Sequence, residues 1–469
     1  MKSPIKFGTD GWRARIAEDF TFDNLRLVTQ ALVEHLKEKG TDKKGVAVGF
    51  DNRFQSEDFA KAAAEVCSGA GIKTFISNRS LPSPVLSYYV KSQNLAAGIM
   101  LTASHNPFDW NGFKIKEEFG GSAFPETTQA VEQKLRDELK IKASSTNIET
   151  QDFTPPYFAK INSLVDLNLI KNQRLKIILD PMHGSGAGYL KALGLPAIEI
   201  RGKRDPLFGG VNPEPIPVNL EETFSFVRET ALKYSSEISA CIVLDGDADR
   251  LAAVDSSGNF INTHQVFALL LHHLIVHRKI SGNVVKTFNV SNLVDRLCQK
   301  HNRKLYTTPI GFKYIAAKML SEDILLGGEE SGGMGIKGFI PERDGVLAGL
   351  MLCELMAYEK KSLGKILESL TQEHGYFYYD RKDIHTEQAQ AIVKKISAQP
   401  PQQLGKIKVK RTEELDGIKL ALEDDSWILF RASGTEPLLR VYVEAKSEDK
   451  LLALQLFLER FLLSDPGNL

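Results

Sequence analysis

"AAGIMLTASHNP", Ala96–Pro107, is an apolar run that stops at a serine, a histidine and an Asn-Pro turn signal. Its length and its abrupt polar end suit a buried strand with a loop at its carboxyl end. The same form recurs along the chain. "GVAVGFDNR" (45–53) precedes the helical "SEDFAKAAAEVCSGAG", and "LKIILDPMHGSGAGYLKALG" (175–194) and "ISACIVLDGDADR" (238–250) follow. "NVVKTFNVSNLVDRLCQKH" (283–301) and "DILLGGEESGG" (323–333) repeat it again. Continuous apolar strands alternating with helices indicate α/β units with sheets covered on both faces. About three such units fit before residue 370. No strict repeat period is visible.

The pattern changes after "HGYFYYDRKDIHT" (374–386). A helix-like stretch meets the Pro-rich "SAQPPQQLG". "KIKVKR", "GIKLALEDDSWILFRASGTEP" and the alternating "LLRVYVEA" come next. The alternation predicts an antiparallel strand with one wet face. An amphipathic helix, "EDKLLALQLFLERFLL", completes a smaller α+β domain.

At 469 residues the chain exceeds one core. Lys+Arg and Asp+Glu both number 59, so no attraction to nucleic acid or a membrane surface is implied. No apolar run reaches ~18 residues, and the N-terminus lacks a secretory h-region. The four scattered cysteines form no CxxC and suit small core residues of a reduced, cytoplasmic protein.

Four constellations could carry chemistry. Ser104 lies in the loop after an apolar strand, where open α/β sheets bind ligands. A turn serine is the plain alternative, and no GxSxG elbow makes it a hydrolase nucleophile. "DGDADR" sets Asp245, Asp247 and Asp249 at a strand end. Alternate carboxylates can converge on one cation, and oxygen-only ligands suit Mg²⁺ over Zn²⁺. An EF-hand fails, since Arg250 and Ser256 stand where that loop needs Gly and Glu. "GGEESGG" (327–333) offers Glu329 and Ser331 as partners for sugar hydroxyls, or is a plain acidic loop. "RASGTEP" (431–437) offers Arg431, Ser433, Gly434 and Thr435 as a phosphate nest, or is a simple hairpin turn. His272, His273 and His277 lie on an apolar helix without the carboxylate of an HExxH motif, and read as structural.

Taken together and in order, "FGTDGWR" (7–13), "TASHNP" (102–107), "NGFK" (111–114), "DGDADR" (245–250), "TPIGFKYI" (308–315), "GEESGG" (328–333), "IPERDG" (340–345) and "RASGTEP" (431–437) resemble the α-D-phosphohexomutases, the phosphoglucomutase/phosphomannomutase family. The resemblance implies three related α/β domains of doubly covered mixed sheet around a central cleft. A C-terminal α+β domain of the TATA-box-binding-protein-like type joins them. The expected domains are 1–150 with a phosphoserine loop, 151–256 with a metal loop, 257–373 with a sugar loop and 374–469 with a phosphate loop.

By the same resemblance Ser104 carries a phosphoryl group. It shares one Mg²⁺ with Asp245, Asp247 and Asp249. Arg13 and Arg250 are cationic partners, Lys114 is the acid/base group and His105 orients the phosphoryl site. Glu329 and Ser331 hold sugar hydroxyls, and Arg431, Ser433, Gly434 and Thr435 hold the distal phosphate. The implied reaction interconverts hexose 1-phosphate and hexose 6-phosphate through a hexose 1,6-bisphosphate, which also serves as activator. The only expected partner is a small sugar phosphate, on a monomer or homodimer. Many phosphomannomutase-type and phosphoglucosamine-type members have histidine where this chain has Gly333. The "GEES" words favour glucose phosphates, with mannose phosphates second. The alternatives are a phosphoglucosamine mutase or a metal-dependent sugar phosphatase on the same scaffold.

Overall fold

The computed structural model describes residues 5–135, 139–234, 238–434 and 437–463. Two compact units divide the chain: Met1–Asn283 with Gly311–Ile366, and Val284–Ile310 with Leu367–Leu469.

The first unit holds two complete mixed sheets. In the first, the strands run in the order Trp12–Arg15, Trp110–Glu117, Ala97–Leu101, Val46–Phe50, Thr74–Ser77, Ile148–Gln151. Val46–Phe50 pairs parallel with both neighbours, whereas Trp110–Glu117 runs antiparallel to Ala97–Leu101. Every residue of Val46–Phe50 and Ala97–Leu101 is buried, because helices cover both faces. One of them, Phe22–Glu38, starts where Thr21 Oγ1 accepts from the Asn24 amide at 3.2 Å. Its apolar stripe joins Phe20, Phe59 and Phe113 in a continuous core. Each fully buried phenylalanine there contributes about 1.5–3 kcal/mol.

The second sheet has the order Phe260–Ile261, Leu251–Val254, Ile238–Leu244, Lys176–Asp180, Ala197–Glu199. Ile238–Leu244 pairs parallel with Lys176–Asp180 and antiparallel with Leu251–Val254. A third strand pair in this unit, Ile324–Gly328 and Met334–Ile336, is also antiparallel. Three times, then, a buried strand passes through a short loop into an antiparallel partner. Those loops are 102–109, 245–250 and 329–333.

In the second unit Asn283–Thr287 and Leu305–Thr308 pair parallel. A six-stranded sheet follows, antiparallel throughout, in the order Tyr378–His385, Leu438–Ala445, Trp427–Ala432, Ile418–Leu422, Ile407–Glu414, Gln403–Leu404. Helices Ala389–Ala398 and Glu448–Leu463 cover one face through Ile396, Leu454 and Leu458. The wet face expected for Leu438–Ala445 is not there. Tyr442 packs with Trp427, Leu429 and Phe288, and Glu444 accepts from Trp427 Nε1 at 2.7 Å and the Asn292 amide at 3.0 Å. Tyr442 and Glu444 are buried against a second layer, and Arg440 alone of the alternating polar members stays partly exposed.

All four cysteines are free and buried. No helix among the described residues is long and apolar enough to cross a membrane.

Candidate active site

Ser104 is fully buried and sits in the left-handed region, φ +52°. A non-glycine residue held there is strained by roughly 1 kcal/mol or more, and such strain clusters at functional positions. The surrounding loop holds it in place. The Ser104 amide donates to Thr102 Oγ1 at 2.9 Å, and Thr102 Oγ1 donates to Asp51 Oδ2 at 2.5 Å. Beneath the loop lies the guanidinium of Arg53, 0% exposed. It donates to the carbonyls of Ser104, Asn106 and Pro107 at 2.7 Å and of Trp110 at 3.0 Å. Its Nε lies 3.3 Å from Asp51, and its other face rests 4.9 Å from the Phe208 ring centroid. Gly112 lets the neighbouring strand come close, since a Cβ there would strike the Thr102 carbonyl.

The second loop meets the first directly. Ser104 Oγ donates to Asp245 Oδ2 at 2.8 Å. Oxygens of Asp245, Asp247 and Asp249 lie within 4.8 Å of one another, all buried. Asp247 Oδ2 accepts from Ser83 Oγ and from Lys114 Nζ, the latter at 2.8 Å. Asp247 Oδ1 and Asp249 Oδ1 have no hydrogen-bond partner. Burial, with Asp249 and Asp247 adding to it, raises the Asp245 pKa well above the ordinary carboxylate value. Burial pulls the Lys114 pKa down, but Asp10, Asp247 and Asp249 outweigh it and hold the ammonium charged.

Arg250 donates its amide to Asp245 Oδ1 at 3.1 Å, and its Nε lies 3.7 Å from Asp249. Arg13 Nη1 donates to Asn106 Oδ1 at 2.8 Å and to the Ala103 carbonyl at 3.2 Å. His105 Nδ1 lies 3.4 Å from Ser104 Oγ. Burial, and then Arg250, Arg13 and Lys114, push the His105 pKa well below the ordinary value, so the ring is neutral at pH 7.

The third loop joins through the backbone, where Arg250 and Gly333 form an isolated antiparallel bridge. Glu329 is buried, with Oε2 3.5 Å from Arg343 Nη1, and Ser331 is half-buried beside it. Gly333 has a steric reason to lack a side chain. A Cβ there would overlap Arg343 Cδ and lie 2.7 Å from its Cγ.

Three charged side chains complete the cluster without having been singled out by sequence: Asp10, Arg53 and Arg343. Arg343 Nη2 reaches Asp10 at 2.6 Å and Asp249 at 2.9 Å, and Lys114 reaches Asp10 at 2.8 Å. Asp10 and Arg343 lie inside quoted words, yet nothing in those words marks them as partners over 333 positions. Arg53 sits in "DNRF", which reads as a surface turn.

Ser104, His105, Lys114, Arg13, Arg250, the three aspartates, Glu329 and Ser331 thus all fall in the first unit. Arg431, Ser433 and Gly434 belong to the second. There Arg431 Nε donates to Asp416 Oδ1 at 3.0 Å, the Ser433 amide donates to the Leu438 carbonyl at 2.8 Å, and Gly434 has open space where a Cβ would stand. Thr435 lies outside the described residues.

The histidines have carboxylate partners that the sequence does not show. His273 Nε2 bonds Glu354 at 2.7 Å and His277 Nε2 bonds Glu359 at 3.0 Å, both from the helix Gly345–Glu359.

Family models of phosphoglucomutase/phosphomannomutase match in order: alpha/beta/alpha domain I over residues 4–142, domain II over 155–258, domain III over 262–374 and the C-terminal domain over 386–460. A phosphoglucomutase/phosphomannomutase of Thermococcus kodakarensis is 30% identical, with 95% of each chain covered. A phosphoglucosamine/phosphogalactosamine mutase of Sulfurisphaera tokodaii is 29% identical over 94% of this chain and 96% of that one. A crystal structure from Thermus thermophilus, assigned provisionally as a phosphomannomutase, superposes with TM-score 0.87 at 36% identity. It covers 99% of this chain and 100% of its own.

Proposed function

Because this chain belongs to the phosphoglucomutase/phosphomannomutase family and is therefore a phosphohexomutase, we propose that it interconverts glucose 1-phosphate and glucose 6-phosphate, with mannose phosphates as the second pair. The observation that carries the mechanism is the bond from Ser104 Oγ to Asp245 amid three buried carboxylates. A hydroxyl in strained backbone, whose neighbours Asp247, Ala103 and Asp245 are bonded by Lys114, Arg13 and Arg250 in turn, is equipped to store a phosphoryl group.

The acidic trio fits a hard divalent ion. Its donors are all oxygen, and two of its buried oxygens lack any hydrogen-bond partner. Asp245, Asp247 and Asp249, with an oxygen on Ser104, would hold Mg²⁺. When bound it supplies charge neutralisation for the phosphoryl oxygens. The chain's own residues do the rest. Ser104 passes its phosphoryl group to the free hydroxyl of the hexose monophosphate: the new P–O bond forms as the bond to Ser104 Oγ breaks, the hydroxyl's proton ends on Ser104 Oγ, and Lys114, held as an ammonium, serves that exchange as the acid. Arg13 and Arg250 balance charge, and neutral His105 orients the serine oxygen. Glu329 and Ser331 hold sugar hydroxyls, while Arg431, Ser433, Gly434 and Thr435 hold the phosphate that is not reacting. Ser104 then takes back the other phosphate of the 1,6-bisphosphate. Such chemistry is mostly positioning and electrostatics.

The Sulfurisphaera relative's name keeps glucosamine phosphates as a second reading. A coupled assay of glucose, mannose and glucosamine 1-phosphates, each with its 1,6-bisphosphate, decides between them. The highest kcat/KM should fall to glucose 1-phosphate; a tenfold advantage for glucosamine 1-phosphate would reverse the assignment. Ser104→Ala should abolish turnover of every sugar, and substantial residual mutase activity would remove the carrier role. Release of free phosphate without any 6-phosphate would make the protein a phosphatase.

A further inference from the structure

Away from the acidic trio, the helix Thr263–His272 does not end in an ordinary turn. It continues as a π-helical turn, His273–His277. In a regular α-helix, residues five apart point about 140° away from each other. The wider π turn brings His272 and His277 onto one face, their ring centroids 5.5 Å apart. Such turns are rare and recur at functional sites.

Both imidazoles meet one oxygen of the neighbouring helix. Glu359 Oε1 lies 3.0 Å from His277 Nε2 and 3.6 Å from His272 Nε2. Tetrahedral ligands at ~2.05 Å from Zn²⁺ stand about 3.3 Å apart, so this spacing is close to that of a loaded site. The side chains are 17–21% exposed, which leaves a path for a hydrated ion. Lys361 Nζ takes the other oxygen, Glu359 Oε2, at 3.2 Å, and so aims Oε1 at the rings. Tyr358 stacks on His277 at 5.2 Å. Behind them His273 Nε2 and Arg278 Nη1 each bond Glu354, at 2.7 and 2.6 Å.

We infer that His272, His277 and Glu359 form a second cation site, for a zinc-class transition metal, separate from the acidic trio. Two imidazoles and one carboxylate suit Zn²⁺ or Co²⁺, while Mg²⁺ prefers oxygen ligands alone. A bound ion leaves a fourth position for water and ties the end of one helix to the end of the other.

The test uses full-length protein stripped with chelator and returned to excess Mg²⁺, titrated with Co²⁺ and then Zn²⁺. The expected result is one equivalent of Co²⁺ giving the intense visible bands of nitrogen ligation, displaced by Zn²⁺, with a Zn²⁺-dependent rise in Tm. His277→Ala and His272→Gln should each weaken binding at least 100-fold while leaving the Mg²⁺-dependent mutase rate unchanged. Glu359→Gln covers the case in which a histidine variant fails to fold. Unaltered Zn²⁺ affinity in these variants, or no nitrogen-ligated Co²⁺ in the parent, would reduce the cluster to two histidines sharing a carboxylate.

Discussion

Replacing Arg53 by methionine tests whether the serine loop is held from below. The substitution keeps most of the apolar stem but deletes the guanidinium. Four carbonyls, of Ser104, Asn106, Pro107 and Trp110, lose their donor, and Asp51 loses its buried counter-charge. Hydrogen bonds to a charged group contribute about 1.5–3 kcal/mol each, but they share one donor and do not add. Breaking a buried pair costs roughly 3–5 kcal/mol. Asp51 can limit that loss by taking a proton, because burial already raises its pKa. A destabilisation of about 4 kcal/mol is expected, within the ~5–15 kcal/mol of a typical domain. The variant should therefore fold at low temperature with its loop loosened. Misplacement by ~1 Å can cost about 100-fold in rate, so kcat should fall by that order while KM moves little. Urea unfolding and the coupled hexose-phosphate assay, both at 15 °C, separate the two effects. Arg53→Lys restores one charge without the fork and should recover only part of each. A methionine variant within ~1 kcal/mol of the parent, with unchanged kcat, would refute the role given to this side chain.

Three further outcomes are expected. Asp247→Asn should lose most activity and its Mg²⁺ dependence, read by titrating rate against metal; an unchanged metal response would remove Asp247 from the ligand set. Gly333→His should push Arg343 off Asp249 and Asp10 and lower kcat/KM at least tenfold, whereas full activity would mean that the Arg343 stem yields freely. Lys419 is buried with Nζ 3.9 Å from the Trp427 ring centroid, and burial, reinforced by Lys286, lowers its pKa to about 8. Unfolded lysine keeps its proton to about pH 10.4, so between pH 8 and 10.4 the unfolded state binds more protons and stability rises with pH. The effect amounts to about 3 kcal/mol across that window, and urea melts should show it abolished in Lys419→Met.

The chemistry-bearing loops were legible because each closes an apolar run, where strand ends present side chains to a ligand. Ser104, the aspartate trio and Glu329 all follow that rule. Their meeting in one unit was carried by the family resemblance. Arg53, Asp10 and Arg343 were not legible, since their partners lie far along the chain. Leu438–Ala445 misled for a related reason: Tyr442 and Glu444 look solvent-facing until Phe288, Trp427 and Asn292 are seen to cover them. The histidines read as structural because their own helix carries no HExxH carboxylate. Their carboxylates come from a helix 81 and 82 positions further on, Glu354 to His273 and Glu359 to His277, which no local spacing could show.

The strand–loop–antiparallel-strand passage found three times has a consequence for how this enzyme could have arisen. If the three copies descend from one ancestor, none inherited a whole machine: on the function proposed above, one keeps the phosphoryl carrier, one the acidic grip and one the sugar hold. An isolated copy would be inert, and co-expressed pieces cut near residue 145 would regain turnover only by reassembling. Duplication here distributes labour instead of adding redundancy, so damage to any one copy silences all three.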